Sequence, residues 1–218
     1  MTATAADITG ECRAAVFCIG GAGANIAAAL MDHLVNADVI TVNTANGTVS
    51  GSDCDIPLTL PGDVASGDVK GAKEVALQNE TALRALIRNY QHVQIVAAMG
   101  GGAGTGIAPV IAACCASENV EFSGIAVMPF SFEDRAQVAA EGYRDLHSVC
   151  KENVEQYCND NILSFAGSMS DAMRQANEAV CSMVMEVLGD IPGLVERRTP
   201  PSGEPGSLLT VGQRVAAS

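Results

Sequence analysis

Two glycine-rich segments contain the residues best suited to chemistry. Gly20-Gly21-Ala22-Gly23-Ala24-Asn25 follows one apolar run, and Gly100-Gly101-Gly102-Ala103-Gly104-Thr105-Gly106 follows another. Glycine lets backbone N–H groups approach an anion closely, and a helix that opens after the loop adds the positive end of its dipole. One such segment is explained equally well as a tight turn. Two of them at one edge of a sheet predict a phosphate-binding site.

The surrounding residues narrow the class of phosphate site. A P-loop needs Lys followed by Ser or Thr at the end of its glycine loop, but Lys70, Lys73 and Lys151 all lie outside both segments. A dinucleotide-binding oxidoreductase needs a different glycine spacing and an acidic residue after the second strand, where Val42-Asn43-Thr44 stands. It would also leave the second glycine segment without a task. Both classes are therefore disfavoured.

The elements that must position these segments alternate along the chain. Apolar runs predict strands at residues 14–19, 39–42, 55–60, 93–98, 122–128 and 154–158. Helical spacing predicts helices at residues 25–34, 72–88, 106–116, 135–150 and 170–188, with a loop at 61–71. Strands that are apolar on both faces are typical of a parallel sheet covered by helices on both sides. The predicted fold is α/β, a Rossmann-like parallel sheet with its ligand crevice at the carboxyl ends of the strands.

Composition excludes several classes of function. The 218 residues are 48% apolar and carry a formal charge of −13, which argues against a protein that coats nucleic acid or docks on anionic lipid by charge. Residues 93–117 are uncharged, but glycines and Pro109 interrupt them, so no membrane insertion is expected. The eight cysteines form no C-x-x-C pair, and most lie in apolar runs. They predict buried, reduced thiols in a cytoplasmic protein.

The last residues differ in composition from the rest. From Glu196 onward the chain is rich in Pro, Gly and Ser, which cannot form a packed core. We therefore predict one domain over residues 1–195 and a flexible tail over residues 196–218. A short docking peptide in that tail is the alternative to a plain disordered end.

The second glycine segment resembles the tubulin/FtsZ signature GGGTGTG, with Ala103 in place of its first Thr. Four further segments agree in order: Ile19 to Asn25 is similar to the family's first phosphate loop, Val42-Asn43-Thr44 to its second with Ala45 in place of the usual Asp, Pro129-Phe130-Ser131-Phe132-Glu133 to P-F-x-F-E, and Asn159-Asp160-Asn161-Ile162-Leu163 to P-N-D-R-L. The resemblance runs from about residue 13 to residue 195 and is closer to FtsZ than to tubulin. It implies a truncated FtsZ-like protein made of the GTP-binding domain, with the second domain absent.

The resemblance implies a set of nucleotide-binding residues. Glu133 would hold the ribose, Arg135 would lie beside the phosphates after a two-residue deletion, and Asn159 and Asn177 would face guanine. Ala103 lacks a hydroxyl that the family supplies, which weakens phosphate or metal contact by about 1 kcal/mol. The full set is Gly20, Gly21, Ala22, Asn25, Gly100, Gly101, Gly102, Ala103, Gly104, Thr105, Gly106, Pro129, Glu133, Arg135, Asn159, Met173 and Asn177. The implied ligands are GTP or GDP with Mg²⁺, and no protein side chain is assigned to the metal.

Catalysis is the least defined part of the resemblance. Residues 192–195 are similar to the start of the family's catalytic loop, but the acid expected after them is replaced by Glu196-Arg197-Arg198. Asp190 and Glu196 are weak candidates for the acid that orients water. The alternative is that hydrolysis is slow or absent, and that the nucleotide stabilises the fold or a polymer.

The resemblance predicts a cytoskeletal role. The expected partner is a second copy of the chain, added head to tail into a filament, with membrane contact supplied by a partner protein that binds the tail. A membrane-remodelling or scaffold role follows. The alternative is a GTP-binding regulatory module that does not polymerise and caps or modulates a full-length relative.

Overall fold

A computed structural model of the chain describes residues 13–33, 37–45, 54–163, 167–189 and 191. Its centre is a sheet of six strands in the order β3-β2-β1-β4-β5-β6, and every neighbouring pair is parallel. The strands are β1 (Ala14–Ile19), β2 (Ala37–Thr44), β3 (Ile56–Leu60), β4 (His92–Ala98), β5 (Glu121–Met128) and β6 (Val154–Cys158). The order reverses between β1 and β4, which is where parallel sheets of this kind bind ligands.

Helices cover both faces of the sheet. They are α1 (Gly20–Leu30), α2 (Val69–Gln78), α3 (Glu80–Ile87), α4 (Gly102–Glu118), α5 (Ala136–Cys150) and α6 (Met169–Gly189). Residues of α2 to α5 pack in one apolar cluster with one face, while α1 and α6 pack in a second cluster on the other. The predicted α/β fold class is confirmed, and the described residues contain no second sheet.

The most buried elements are β1 and α4. All six residues of β1 are buried because the strand is central in the sheet and helices cover both of its faces. Helix α4 is apolar on nearly every side and lies among its neighbours, as expected for a helix without a polar stripe. It continues through Pro109. These two elements position the glycine segments, which lie at the carboxyl end of β1 and at the start of α4.

Both glycine segments were predicted to be loops that precede a helix, but the structure places most of each segment inside the helix. Helix α1 begins at Gly20 instead of Asn25, and α4 begins at Gly102 instead of Gly106. Only Gly20 (φ 82°) and Gly100 (φ 87°) have the positive φ that demands glycine at the turn. Of the other glycines in the two segments, Gly101 is the extended N-cap of α4 and the rest are helical, and some of these allow close packing. A Cβ on Gly23 would lie 2.8 Å from the carbonyl carbon of Cys18.

The predicted helix over residues 72–88 is two helices, and the predicted loop at 61–71 already contains the first turn of α2. The chain breaks at Asn79, which has φ −100° and ψ 11° and separates α2 from α3. Its side-chain amide donates to the carbonyl oxygen of Val75 at 2.8 Å, a local bond that competes with continued helix. Periodicity alone does not show this break, because apolar residues keep helical spacing across it.

The described cysteines are free, and most are buried, in agreement with the prediction of reduced thiols. None of the helices in the described ranges is long and apolar enough to cross a membrane. The tail at residues 196–218 lies outside the described residues, so the predicted domain boundary stays a prediction.

Candidate functional site

A cavity of about 600 Å³ opens at the carboxyl ends of the strands, where β1 and β4 separate. That volume is in the range of small-molecule and cofactor sites. Of the residues predicted to bind nucleotide, those that line the cavity are Gly20, Gly21, Ala22, Asn25, Gly100, Gly101, Gly102, Ala103, Gly104, Pro129, Glu133, Arg135, Asn159, Met173 and Asn177. These residues therefore line one continuous cavity, although they belong to the connections that follow four strands, β1, β4, β5 and β6.

The start of α1 forms one wall of the cavity. Its N-cap residue, Ile19, makes no side-chain hydrogen bond, so the first N–H groups of the helix have no side-chain acceptor at the cap. Gly20 turns the chain directly from β1 into the helix, and the close packing at Gly23 keeps this turn tight. The result is a helix N-terminus open to an anion.

The start of α4 forms the facing wall in the same manner. Its N-cap residue, Gly101, also lacks a side-chain hydrogen bond. The preceding turn is fixed by the N–H of Gly100, which donates to the Thr105 hydroxyl at 2.9 Å. A Cβ on Gly104 would overlap the carbonyl oxygen of Ala98, so the helix start is pressed against the end of β4.

Two predicted binding residues lie behind this wall. Thr105 is buried and does not line the cavity, because its hydroxyl accepts the bond that holds the Gly100 turn. Gly106 also lies away from the cavity and packs against α2, where a Cβ would overlap the carbonyl oxygen of Val69. Both residues support the α4 wall from behind in this structure.

A third helix start reaches the cavity, and sequence reasoning missed it. Ser66, Gly67 and Asp68 line the cavity directly before α2. The side chain of Asp68 caps this helix by accepting from the N–H of Gly71 at 3.0 Å. The available signal was an Asp in a Gly- and Ser-containing stretch before a helical pattern, which is typical of an N-cap.

The far wall of the cavity is built from side chains after β5. Glu133 accepts a hydrogen bond from the N–H of Phe130 at 3.0 Å, and its carboxylate lies 4.0 Å from the guanidinium of Arg135. Phe130 stacks on Phe132 with ring centroids 5.1 Å apart. The Arg135 Cβ lies 3.0 Å from the position that a Cβ on Gly100 would take, which brings the arginine beside the α4 wall.

Polar amides line the end of the cavity near β6 and α6. The carboxamide oxygen of Asn159 is buried and has no hydrogen-bond partner among the described residues. Asn177 and the thioether side chain of Met173 line the same end. A buried acceptor without a partner costs free energy, so this end is suited to a ligand that brings N–H donors.

Other chemically capable groups lie outside the cavity. Burial raises the pKa of Cys114 and Cys150 to about 11, which keeps both thiols protonated at neutral pH. The described residues contain no group of three or more His, Cys, Asp or Glu side chains that could hold a metal. The catalytic candidates Asp190 and Glu196 lie outside the described residues.

The structure is thus a doubly wound α/β domain. Its cavity lies where the strand order reverses, and two helix N-termini suited to binding an anion open into it. Residues 13–167 match the model of the Tubulin/FtsZ family, GTPase domain. The chain therefore belongs to the tubulin/FtsZ family, as its glycine signature predicted.

Individual relatives agree with this assignment. The chain is 30% identical over 193 residues to the cell division protein FtsZ of Rickettsia bellii, which covers 83% of this chain and 42% of that protein. A solved FtsZ dimer from M. jannaschii matches with a TM-score of 0.74 at 24% identity, over 81% of this chain and 54% of that one. A CetZ from Methanosaeta thermophila matches with a TM-score of 0.66 at 18% identity, over 82% and 55%. The chain thus spans less than half the length of the curated relatives it matches.

Proposed function

We propose that the cavity binds a guanine nucleotide, GTP or GDP, and that the chain acts as an FtsZ-like cytoskeletal protein. The observation that carries this proposal is the opening of two uncapped helix N-termini, those of α1 and α4, into one cavity. Such ends bind phosphate through their free N–H groups and their dipoles. Membership of the tubulin/FtsZ family supports guanine as the base.

The side chains at the end of the cavity away from the starts of α1 and α4 support a nucleoside as the rest of the ligand. Asn159 offers a buried acceptor without a partner, and guanine presents N–H donors on its edge. Asn177 adds a second amide, while Glu133 is held in place to accept from ribose hydroxyls. The base would lie near β6 and α6, with the phosphates between α1 and α4.

Magnesium fits this site as a partner of the phosphates. The charged residues that line the cavity are Asp68, Glu133 and Arg135. The single positive charge of Arg135 therefore faces two carboxylates even before a phosphate binds. Bound Mg²⁺ would neutralise phosphate charge. It would be held chiefly by phosphate oxygens and water, because the described residues offer no cluster of three ligands.

Assembly is proposed on the family relationship. A contact that joins the nucleotide end of one subunit to the opposite end of the next does not close on itself and extends into a filament. The structural relatives include an FtsZ dimer and a PhuZ filament, both of which resemble this chain at under 25% identity. We propose head-to-tail assembly in a scaffold or membrane-remodelling role, with residues 196–218 as the tail that meets a membrane-associated partner.

The test measures sedimentation and released phosphate in one tube containing the protein, GTP and Mg²⁺. Pelleting that depends on protein concentration and GTP supports the filament, and phosphate release adds GTP hydrolysis to it. Pelleting without release makes GTP a structural ligand of a static polymer. Bound GTP with all protein in the supernatant overturns self-assembly and favours the module that caps a full-length relative.

A further inference from the structure

Six of the described cysteines form two groups, one on each face of the sheet. The group packed with α2 to α5 consists of three buried thiols, those of Cys114, Cys115 and Cys150. The group packed with α1 and α6 consists of Cys18, Cys181 and Cys54. Of these six thiols, the one that is partly exposed is that of Cys54. A small oxidant in solution therefore reaches the second group first, at Cys54.

Thr41 connects Cys54 to Cys18 in space. In the parallel pair of β1 and β2, Cys18 is the direct partner of Thr41. Neighbouring strands of a sheet lie about 4.8 Å apart, and paired residues point to the same face. The sulfur of Cys54 lies 3.3 Å from the hydroxyl oxygen of Thr41. The Cys54 sulfur thus lies against the side chain beside Cys18, on the face that Cys18 occupies.

The thiol of Cys18 is the centre of its group. Burial raises its pKa, and the neighbouring thiols of Cys181 and Cys54 raise it further. The Cys181 sulfur is turned toward α1, where it donates to the carbonyl oxygen of Ile26 at 3.8 Å, and burial raises its pKa to about 12. Cys18 and Cys181 are therefore protonated and shielded, so neither is the first target of an oxidant.

We propose that Cys54 and Cys18 form a redox pair, in which hydrogen peroxide oxidises Cys54 and Cys18 then closes a disulfide with it. The Cys54 sulfur attacks one peroxide oxygen, the O–O bond breaks, and the products are a sulfenic acid and water, which keeps the Cys54 proton. The Cys18 sulfur attacks the Cys54 sulfur, and the S–O bond breaks as the S–S bond forms. The leaving hydroxide takes up the Cys18 proton as a second water.

The disulfide joins two elements that are separated by a strand. Cys18 lies at the end of β1, directly before Ile19, the N-cap of α1. Cys54 lies two residues before β3, on the other side of β2. The bond therefore spans β2 on the face covered by α1 and α6. The inference does not depend on the proposed nucleotide-binding function.

The test treats the native protein with hydrogen peroxide, blocks the remaining thiols with iodoacetamide and maps the fragments by mass spectrometry without reduction. Digestion before aspartate separates the two cysteines, because Asp32 and Asp38 lie between them in the sequence. We expect a linked fragment pair that contains Cys18 and Cys54 and is lost after treatment with dithiothreitol. The buried thiols of the group packed with α2 to α5 should be recovered in the alkylated form after denaturation.

Two variants and a matched control test the order of the steps. In C54S the link is lost and Cys18 stays reduced. In C18A we expect Cys54 to stop at the sulfenic acid, which dimedone traps. The control is C158S, which removes another partly exposed cysteine, at the end of β6 on the opposite edge of the sheet, and keeps the link. Circular dichroism shows whether C18A, altered at a buried position, retains the fold.

Three results would overturn the redox pair. The first is the absence of the link between Cys18 and Cys54 in wild type, after a treatment that fully oxidises free cysteine in a parallel tube. The second is a disulfide from Cys54 to Cys181 or to any other cysteine in place of Cys18. The third is oxidation of Cys18 in C54S at the rate seen in wild type, which would show that Cys54 is not needed. The last result can be read even if C18A does not fold.

Discussion

The two halves of the cavity are built in different ways. The proposed phosphate half consists of backbone at the starts of α1 and α4, where glycines let helix and strand touch. The proposed nucleoside half consists of side chains such as Glu133, Asn159 and Asn177, carried on the connections after β5 and β6 and on α6. The first half is therefore packed into the core, whereas the side chains of the second half are not required for the packing of the fold. A change at a tightly packed glycine of the first half should cost stability, and a change in the second should cost only binding.

The largest effect is expected for G104A. The new methyl group would overlap the carbonyl oxygen of Ala98, which is main chain at the end of β4 and cannot rotate away. We expect the free energy of unfolding to fall by about 3 kcal/mol or more, with loss of nucleotide binding. Urea denaturation followed by circular dichroism measures the first quantity.

The matched control is G21A in the other phosphate wall. A Cβ there meets nothing within 4 Å in the protein, and the position is helical. The variant should be as stable as wild type or about 0.5 kcal/mol more stable, because Ala favours helix over Gly. Its nucleotide affinity should still fall, since the methyl group points into ligand space. Equal stability of G104A and G21A would contradict the packing role of the phosphate half.

The next effect is expected for N159A in the nucleoside half. Removing the amide loses its hydrogen bonds to the base, so guanine-nucleotide affinity should fall about tenfold. The stability of the free protein should not fall, because the lost oxygen has no partner in it. The control is N161A, an exposed amide in the same short turn that does not line the cavity. A similar loss of affinity in N161A would remove the special role of Asn159.

A smaller effect is expected for A103T. The substitution restores a hydroxyl at the open start of α4, where one more donor to phosphate should add about 1 kcal/mol of binding free energy, or about fivefold in affinity. A113T places the same change at an exposed position later in α4 and should leave affinity unchanged. Weaker binding by A103T would show that this wall has no room for the added group.

The smallest effect is expected at the opposite edge of the sheet and concerns stability alone. Burial lowers the pKa of His92 below its ordinary value of 6.5, with the nearby Glu121 carboxylate opposing that shift. The folded protein therefore resists protonation more than the unfolded chain, and stability is lost as the pH falls below about 6.5. H92Q should flatten that part of the pH profile, whereas H147Q, at an exposed position, should not. A change in nucleotide affinity in H92Q would show that the two edges are coupled.

The same contrast explains what the sequence could predict. The glycines of the phosphate half were predicted from their spacing, because close packing between helix and strand leaves a pattern in the residue types themselves. The nucleoside half was assigned only through the family resemblance, since an Asn such as Asn159 looks like any turn residue until the fold brings it to a cavity. Strands were placed within about two residues because burial on both faces makes them continuous apolar runs.

The helix boundaries and the third helix start were harder to predict. Glycine runs suggest loops, yet the chain turns at single residues, Gly20 and Gly100, and the glycines after them are helical apart from the extended Gly101. Asp68 was not predicted to line the site, because it caps its helix within a Gly- and Asp-rich stretch that has no apolar periodicity. Such features depend on tertiary contacts between helix starts, which the sequence of each segment does not contain.

The most direct test of the central claim is a calorimetric titration of the purified chain with GDP and, separately, with ADP. The account predicts one GDP bound per chain in the cavity between α1 and α4, at least tenfold tighter than ADP, and a lower affinity for GDP in G21A. Equal affinity for both nucleotides would contradict the assignment of the Asn159 end to guanine. The absence of binding by either nucleotide would contradict the nucleotide site itself.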